Sequence, residues 1–237
     1  NEGALSRKLG YKGRPAVAEE LLLVRDGMLA ADVEGYVHVC HVSTKGSVDY
    51  IRRMKAAGIH VTAETCPQYF TLTEEEIEKQ GAMAKVNPPL RTRADVEAIL
   101  EGLEDGTLDC IITDHAPHTV EEKARELPKA PSGMVGLETS LALSMTVLHH
   151  QLGWPLMKVL RAMSTAPAGI LQLDAGSLRV GAPADIVLFD PEETWTVRPE
   201  AFASKGRNTP FAGWELKGRV RCTVVGGETV YDAEAAR

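Results

Sequence analysis

Residues 107–118 read TLDCIITDHAPH, a short apolar run followed directly by polar side chains. The apolar run predicts a buried strand, and α/β folds carry their chemistry at the carboxyl ends of parallel strands. At that position Asp114 could ligate a metal ion and transfer protons, while His118 could bind an anionic group. The structural alternative is a polar loop with a helix-capping aspartate. The presence of an acid and two histidines in one short loop, Asp114, His115 and His118, favours a site.

Two similar stretches precede this one along the chain. YVHVCHVS at residues 36–43 and IHVTAETC at residues 59–66 predict strands that end near His41 and Glu64. The remaining pattern predicts helices over residues 16–29, 46–57, 74–79, 93–102, 135–150 and 155–163. Short strands that alternate with helices predict parallel βα units. We therefore expect His41 and Asp114 to lie at the same edge of one sheet.

His38 and His41 cannot both ligate one metal ion from a single regular strand. Side chains alternate between the two faces of a strand, so residues three apart in sequence point to opposite sides. His41 lies at the end of the predicted strand and is the better ligand candidate. We interpret His38 as a structural residue.

KVNPPLR, residues 85–91, is a proline-stiffened segment. The residue before a proline is restricted to extended geometry, so the amide of Asn87 could be held toward a pocket. Taken alone, the pattern is more typical of a rigid turn. We expect Lys85 and Arg91 to be structural or peripheral.

A glycine-rich segment, APSGMVGLET, covers residues 130–139. Gly133 and Gly136 would allow the backbone to approach a ligand closely. Alone this is a weak signal, and Glu138 is equally compatible with a satisfied buried acid.

The sequence changes character after Asp174. GSLRVGAPADIVLFDP at 176–191 predicts a strand, a turn and a second strand. WTV at 195–197 predicts a short strand. GRVRCTVVGGETVYD at 218–232 predicts a hairpin that turns at Gly226-Gly227. We therefore expect two domains, a partial α/β barrel over residues 1–173 and part of a small β domain over residues 174–237. A complete barrel needs about 250 residues, more than the first domain offers.

Composition narrows the class of protein. The 237 residues carry a net charge of −7, which argues against nucleic acid or an anionic membrane as the main partner. The sequence has no apolar run long enough to span a bilayer, and it does not open with a signal peptide. The four cysteines, Cys40, Cys66, Cys110 and Cys222, form no C-x-x-C pair. We expect free thiols of a cytoplasmic protein, with the first three buried.

Together, and in this order, the motifs resemble dihydroorotase of the long bacterial type, in the amidohydrolase superfamily. The resemblance rests on HVSTKGSV, VTAETCPQYF, NPPLR, DGTLDCIITDHAPH, APSGMVGLET, GAPADIVLFDP and SKGRNTPF, and it covers essentially the whole chain. It implies the C-terminal part of a (β/α)8 TIM-like barrel plus a small β-sandwich segment. The implied activity is the reversible cyclisation of N-carbamoyl-L-aspartate to L-dihydroorotate in de novo pyrimidine biosynthesis. The implied partners are this small substrate, with a homo-oligomer or aspartate transcarbamoylase as a protein partner.

The resemblance also implies roles for particular residues. His41 matches a ligand of one Zn2+ in a binuclear pair, and Asp114 matches a ligand of the other that acts as general acid and base. The remaining matches are substrate-binding residues. Asn87 and His118 would contact the dihydroorotate ring and its carboxylate, and the backbone of Ser132 and Gly133 would clamp the substrate.

The sequence departs from the family pattern in several places. Ser132 stands where the family often has Phe, and Gln68 where it often has His. The family's His-x-His motif does not occur in the sequence, and the adjacent His149 and His150 of a predicted helix cannot replace it. We expect that motif, a bridging acid, a further histidine ligand and a substrate-binding arginine to lie N-terminal to Asn1. The chain by itself is therefore expected to be inactive.

Two alternatives remain open. One is another cyclic amidase, an allantoinase or a dihydropyrimidinase, although NPPLR with TDHAPH favours dihydroorotase. The other is a non-catalytic dihydroorotase-like partner of aspartate transcarbamoylase. Such proteins lose metal ligands, so the retention of His41 and Asp114 counts against it.

Overall fold

The computed structural model describes residues 1–235. Its α-helices are α1 (Ala4–Leu9), α2 (Val17–Asp32), α3 (Lys45–Ala56), α4 (Pro67–Thr71), α5 (Glu76–Gln80), α6 (Arg93–Asp105), α7 (Val120–Lys123), α8 (Ser140–Ser144), α9 (Leu156–Leu160) and α10 (Ala166–Ile170). Its strands are β1 (Tyr36–Val39), β2 (His60–Thr65), β3 (Cys110–Ile111), β4 (Ile186–Thr196), β5 (Glu215–Val225) and β6 (Glu228–Asp232). The α/β class predicted from the sequence is confirmed.

The described chain divides into two compact units. The first comprises Asn1–Leu137 with Pro199–Pro210, and the second comprises Glu138–Arg198 with the chain from Phe211 onward. The domain boundary expected at residue 174 stays a prediction.

The first unit is built on a parallel sheet in the order β1-β2-β3. Val61, Ala63 and Thr65 of β2 are buried, whereas Thr62 and Glu64 between them are partly accessible, as the alternation of a pleated strand requires. Helix α3 connects β1 to β2, and α6 precedes β3. The carboxyl ends of all three strands therefore lie at one edge of the sheet.

Sequence signals fix the ends of the two connecting helices. Thr44 caps α3 by accepting a hydrogen bond at its side chain from the backbone N–H of Ser47 at 3.1 Å. Helix α6 starts with a capping box between Thr92 and Asp95 and ends at Gly106, which has a φ of +82°. These helices agree with the predicted ones to within a few residues.

The second unit contains an antiparallel sheet in the order β4-β5-β6. The predicted hairpin is confirmed, with its turn at Gly226 and Gly227, whose φ angles are +58° and +86°. The sequence predicted a first strand before the turn within residues 176–191, and this prediction is wrong. Leu178 and Val180 are exposed, and the described chain provides no strand partner for them. The predicted short strand at 195–197 is instead the end of β4.

The helix predicted over 135–150 starts later than expected. Met134 instead forms an isolated parallel bridge with His115, in which Met134 O accepts from the backbone N–H of Ala116 at 2.9 Å, and residues 137–139 form a turn before the helix begins at Ser140. The helix then widens into a π-helical turn over Met145–Gln151. The helix predicted over 155–163 runs further than expected, through a π turn at Arg161–Thr165 into α10.

The cysteine prediction is correct in part. All four thiols are free, and Cys66 and Cys110 are buried. The predicted burial of Cys40 is wrong, because this residue follows the last residue of β1 and is exposed. Over the described residues, no helix is both long enough and apolar enough to cross a membrane.

Candidate functional site

His41 and Asp114 occupy equivalent positions, each shortly after a strand of the parallel sheet. Both have left-handed backbone conformations, with φ of +40° at His41 and +47° at Asp114. Such values are uncommon outside glycine, and they concentrate where a fold holds functional side chains. β1 and β3 are separated by β2, which contributes Glu64 between them. The parallel arrangement thus brings the two predicted metal ligands to the same edge of the sheet.

The electrostatic surroundings of Asp114 suit proton transfer. Burial raises the pKa of Asp114, the neighbouring His41 lowers it, and the charge of Glu64 raises it again, with a net upward shift. A carboxyl group with a raised pKa takes up and releases a proton closer to neutral pH. The direction of this shift is compatible with the general acid and base role predicted for Asp114.

His41 has the property expected of a metal ligand. Its Nδ1 atom is buried and has no hydrogen-bond partner among residues 1–235. A buried ring nitrogen left without a partner is costly, and imidazole nitrogen is a preferred ligand of zinc. Together with the Asp114 carboxylate, His41 fits part of a zinc ligand set. Catalytic zinc usually takes three protein ligands, so these two residues would share a zinc site with others.

A buried charge network anchors the loop that follows His41. The Glu19 carboxylate accepts hydrogen bonds from the backbone N–H groups of Ser43 at 3.0 Å and Thr44 at 3.2 Å, and from the Ser47 hydroxyl at 2.8 Å. Arg91 is 2% exposed, lies 3.5 Å from Glu19 and donates to Ser43 Oγ at 3.1 Å. Arg91 is therefore structural, as expected. Glu19 was not predicted, since its spacing from His41 carries no signal.

His38 is held by its neighbours on β2. Its Nδ1 lies 2.7 Å from Thr62 Oγ1, and its Nε2 lies 3.0 Å from Glu64 Oε2. His38, Cys40 and Glu64 are close enough together to form a potential metal-binding group. Both ring nitrogens of His38 are already engaged, however, which supports the structural interpretation of this residue.

Ser132, Gly133 and His118 form one hydrogen-bonded assembly. The ring Nε2 of His118 donates to the backbone oxygen of Ser132 at 2.9 Å. Gly133 has a φ of +136°, and a Cβ atom there would lie 2.6 Å from Ala116 Cβ and 3.0 Å from His118 Nε2. Only glycine therefore fits at this position.

The side-chain amide of Asn208 links the segment of His118 to the segment of Gly133. Its Oδ1 accepts from the backbone N–H of His118 at 3.0 Å, and its Nδ2 donates to Ala116 O at 3.0 Å and Gly133 O at 3.1 Å. The residue is 2% exposed. The stretch SKGRNTPF contains Asn208, yet nothing in its pattern assigned this residue a role.

Two lysines hold the loop that leads to Gly133. Lys123 is 3% exposed and donates from Nζ to Gly133 O at 2.8 Å, Pro131 O at 3.2 Å and Lys85 O at 3.3 Å. Lys85 donates in turn to Ala130 O at 2.6 Å and to a further carbonyl at 2.8 Å. Burial, reinforced by the charge of Lys85, lowers the pKa of Lys123 to about 8. Lys85 is thus structural as expected, and Lys123 is a supporting residue that the sequence did not reveal.

Asn87 and Ser132 line a common cavity of about 440 Å³ in the first unit. Lys12, Arg14 and Lys85 also line it, and Arg14 donates a hydrogen bond to Asn87 Oδ1. The peptide bond between Asn87 and Pro88 is cis. Of the described residues, neither His41 nor Asp114 lines this cavity. The predicted residues therefore form two groups, the strand-end pair of His41 and Asp114 and the cavity pair of Asn87 and Ser132. His118 is hydrogen-bonded to Ser132 O, and Gly133 follows Ser132 in the chain.

Comparison with known proteins identifies the family. The sequence profile of the amidohydrolase family matches residues 26–230. The chain belongs to this family. Among individual amidohydrolases, it is 48% identical to the dihydroorotase of Syntrophus aciditrophicus, over 99% of this chain and 55% of that protein. It is 49% identical to the dihydroorotase of Clostridioides difficile, over 98% of this chain and 55% of that protein.

A solved amidohydrolase structure shares the fold. The dihydropyrimidinase from Brevibacillus agri superposes with a TM-score of 0.87 at 29% identity, covering 92% of this chain and 50% of that one. The chain thus spans about half the length of the proteins it matches.

Proposed function

We propose that the protein containing this chain is a dihydroorotase, a zinc-dependent hydrolase that interconverts N-carbamoyl-L-aspartate and L-dihydroorotate. The observation that carries the proposal is the pairing of His41 with an Asp114 of raised pKa at the carboxyl edge of the sheet. The 48% identity to a dihydroorotase over 99% of the chain supports the choice of substrate. The free cysteines fit a reaction in the cytoplasm.

Asp114 moves the proton in the proposed mechanism. Zinc, when bound by residues that include His41 and Asp114, supplies positive charge that polarises the amide carbonyl under attack. In ring opening, Asp114 accepts a proton from the attacking water and returns it to the ring nitrogen as the C–N bond breaks. In ring closure the same residue carries the proton in the opposite direction. The raised pKa of Asp114 makes the carboxylate a better proton acceptor than an ordinary aspartate, which supports this role.

The cavity pair and the Ser132 assembly position the substrate. Lys12, Arg14 and Lys85 give the cavity cationic walls that favour an anion, although Glu74 also lines it. Both dihydroorotate and carbamoyl-aspartate carry carboxylates, which suits this charge. We assign the ring and carboxylate contacts to Asn87 and His118, and the backbone clamp to Ser132 and Gly133.

The 237-residue chain supplies only two predicted ligands, His41 and Asp114, to a binuclear site. We therefore propose that the chain by itself is inactive and acquires activity with further ligands, from additional polypeptide or a partner chain. Mixing the purified chain with the N-terminal half of a related dihydroorotase tests this. Ring opening by the mixture but not by the chain supports the proposal, and full turnover by the chain alone contradicts it.

A dihydropyrimidinase is the second candidate, favoured by the TM-score of 0.87 to the Brevibacillus agri enzyme. Its uncharged substrate would not need the cationic cavity. The test is a spectrophotometric comparison of ring opening for dihydroorotate, dihydrouracil and allantoin by the intact protein. Preference for dihydroorotate supports the first proposal. Preference for dihydrouracil supports the second candidate, and preference for allantoin would indicate an allantoinase.

The non-catalytic alternative makes a different prediction. A dihydroorotase-like partner would co-purify with aspartate transcarbamoylase, contain no zinc and leave all these rings intact. The retention of His41 and Asp114 counts against that outcome. A homo-oligomer or a complex with aspartate transcarbamoylase remains compatible with an active enzyme.

A further inference from the structure

A second group of metal-ligating side chains lies in the second compact unit. His149, His150 and Glu192 each offer a ligand atom, and these atoms lie within 4.8 Å of one another. The two imidazole rings are 4.8 Å apart between centroids, and both histidines are half-buried. No role in the proposed dihydroorotase chemistry uses these residues.

Hydrogen bonds fix both histidines in forms that can bind a metal. Nδ1 of His149 lies 2.6 Å from the backbone oxygen of Trp154, and Nε2 of His150 lies 2.8 Å from that of Pro191. A carbonyl oxygen only accepts, so each of these nitrogens carries the hydrogen. The other nitrogen, Nε2 of His149 and Nδ1 of His150, therefore keeps its lone pair in the neutral ring. Metal-binding histidines characteristically donate their second ring N–H to such a backbone carbonyl or to a carboxylate.

The backbone explains how adjacent histidines come together. Neighbouring residues of an α-helix point about 100° apart and do not face each other. His149 and His150 instead lie in the π-helical turn Met145–Gln151, which winds more widely and so turns consecutive side chains less. Such turns are frequent at functional sites.

Glu192 reaches the pair from an irregular part of β4. The register of β4 against β5 shifts between Asp190 and Thr194. The Asp190 carboxylate accepts from the backbone N–H groups of Glu192 at 2.8 Å and Glu193 at 3.1 Å, which fixes the local chain. The Glu192 side chain is 67% exposed, so a metal ion could reach it from solvent.

We propose that His149, His150 and Glu192 bind a divalent transition-metal ion of the zinc class, at a site separate from His41 and Asp114. Two imidazoles and one carboxylate are a ligand set that zinc accepts, with a remaining position for water. The ion would join the π turn to β4 and stabilise the folded second unit. Lys217 lies 3.2 Å from Glu192, and its ammonium competes with the ion for the carboxylate. The group of His38, Cys40 and Glu64 has no such free imidazole nitrogen, because side chains engage both ring nitrogens of His38.

Zinc titration of the full chain by calorimetry tests the proposal. The variants are His149→Gln/His150→Gln and Glu192→Gln, and the matched control is His60→Gln, which changes an exposed histidine outside both groups. Circular dichroism in EDTA confirms that each variant is folded. Cu2+ titration followed by electron paramagnetic resonance reports on nitrogen ligands independently of catalysis.

We expect the double variant to bind one zinc equivalent fewer than the wild type. Glu192→Gln should bind that equivalent with an affinity lower by about tenfold or more, and His60→Gln should bind zinc as the wild type does. The Cu2+ spectrum should lose a two-nitrogen signal in the double variant. Equal zinc stoichiometry and affinity in wild type and Glu192→Gln, or an unchanged Cu2+ spectrum in the double variant, would overturn the site. Because Glu192 is largely exposed, its variant tests the proposal even if the double variant misfolds. Neither readout requires dihydroorotase activity.

Discussion

The Nζ atom of Lys123 donates a hydrogen bond to the backbone oxygen of Gly133 at 2.8 Å, from a side chain that is almost completely buried. A buried lysine thus holds the backbone assigned to the substrate clamp. Its ammonium group satisfies three carbonyl oxygens in all.

We expect Lys123→Met to destabilise the fold by roughly 3 kcal/mol, because it removes three hydrogen bonds from an almost completely buried site. The measurement is urea unfolding followed by circular dichroism. Lys129→Met is the control, since Lys129 forms an exposed ion pair with Glu126 and should change stability by less than about 0.5 kcal/mol. Equal stability of the two variants would contradict the role given to Lys123.

Lys123 also predicts a pH dependence of stability. The folded protein releases this proton near pH 8, whereas an ordinary lysine keeps it up to a pKa of 10.5. Between these values the unfolded chain binds more protons, so the free energy of unfolding should rise with pH relative to Lys123→Met. Unfolding curves of both proteins across this range measure the difference. A constant difference would show that the pKa of Lys123 is not lowered.

Gly133→Ala should damage the substrate clamp. The new Cβ would lie 2.6 Å from Ala116 Cβ, at a backbone angle that alanine rarely adopts, so the loop must shift. In the active protein we expect KM for dihydroorotate to rise, by about tenfold or more. Gly169→Ala is the control, because Gly169 has open space around its Cβ position and lies in helix α10. An unchanged KM in Gly133→Ala would remove Gly133 from the clamp.

Glu19 should govern how well His41 holds a metal. Glu19→Gln removes the charge that binds Ser43, Thr44 and Arg91, so the loop after His41 should loosen. We expect zinc to dissociate about tenfold faster, measured by chelator competition, and Glu97→Gln on the exposed side of α6 should have no effect. Equal zinc release from both variants would show that the network does not position His41.

The parallel strands and the polar residues at their carboxyl ends were predictable, because an apolar run that ends in polar residues is a local sequence signal. His41 and Asp114 were predicted in this way, and both follow strands of the parallel sheet. Lys123 and Asn208 were not, since their side-chain contacts to Gly133 leave no periodic pattern in the sequence, and Asn208 lies 75 residues away from Gly133. The exposed loop at 176–185 was mistaken for a strand because Leu178 and Val180 alternate with polar residues but meet no partner. The π turn at Met145–Gln151 was equally hidden, because a π-helix and an α-helix have similar apolar spacing over so short a segment.

The most direct test of the account is the rate of dihydroorotate ring opening by the intact protein with Asp114→Asn. Asn keeps the size of the side chain but cannot carry the proton, so we predict a loss in kcat of about 10²- to 10⁴-fold. Asp32→Asn, an exposed position at the end of α2, is the control and should retain full activity. Zinc content is measured in each sample. A rate for Asp114→Asn within about tenfold of wild type would contradict the assignment of Asp114 as the general acid and base.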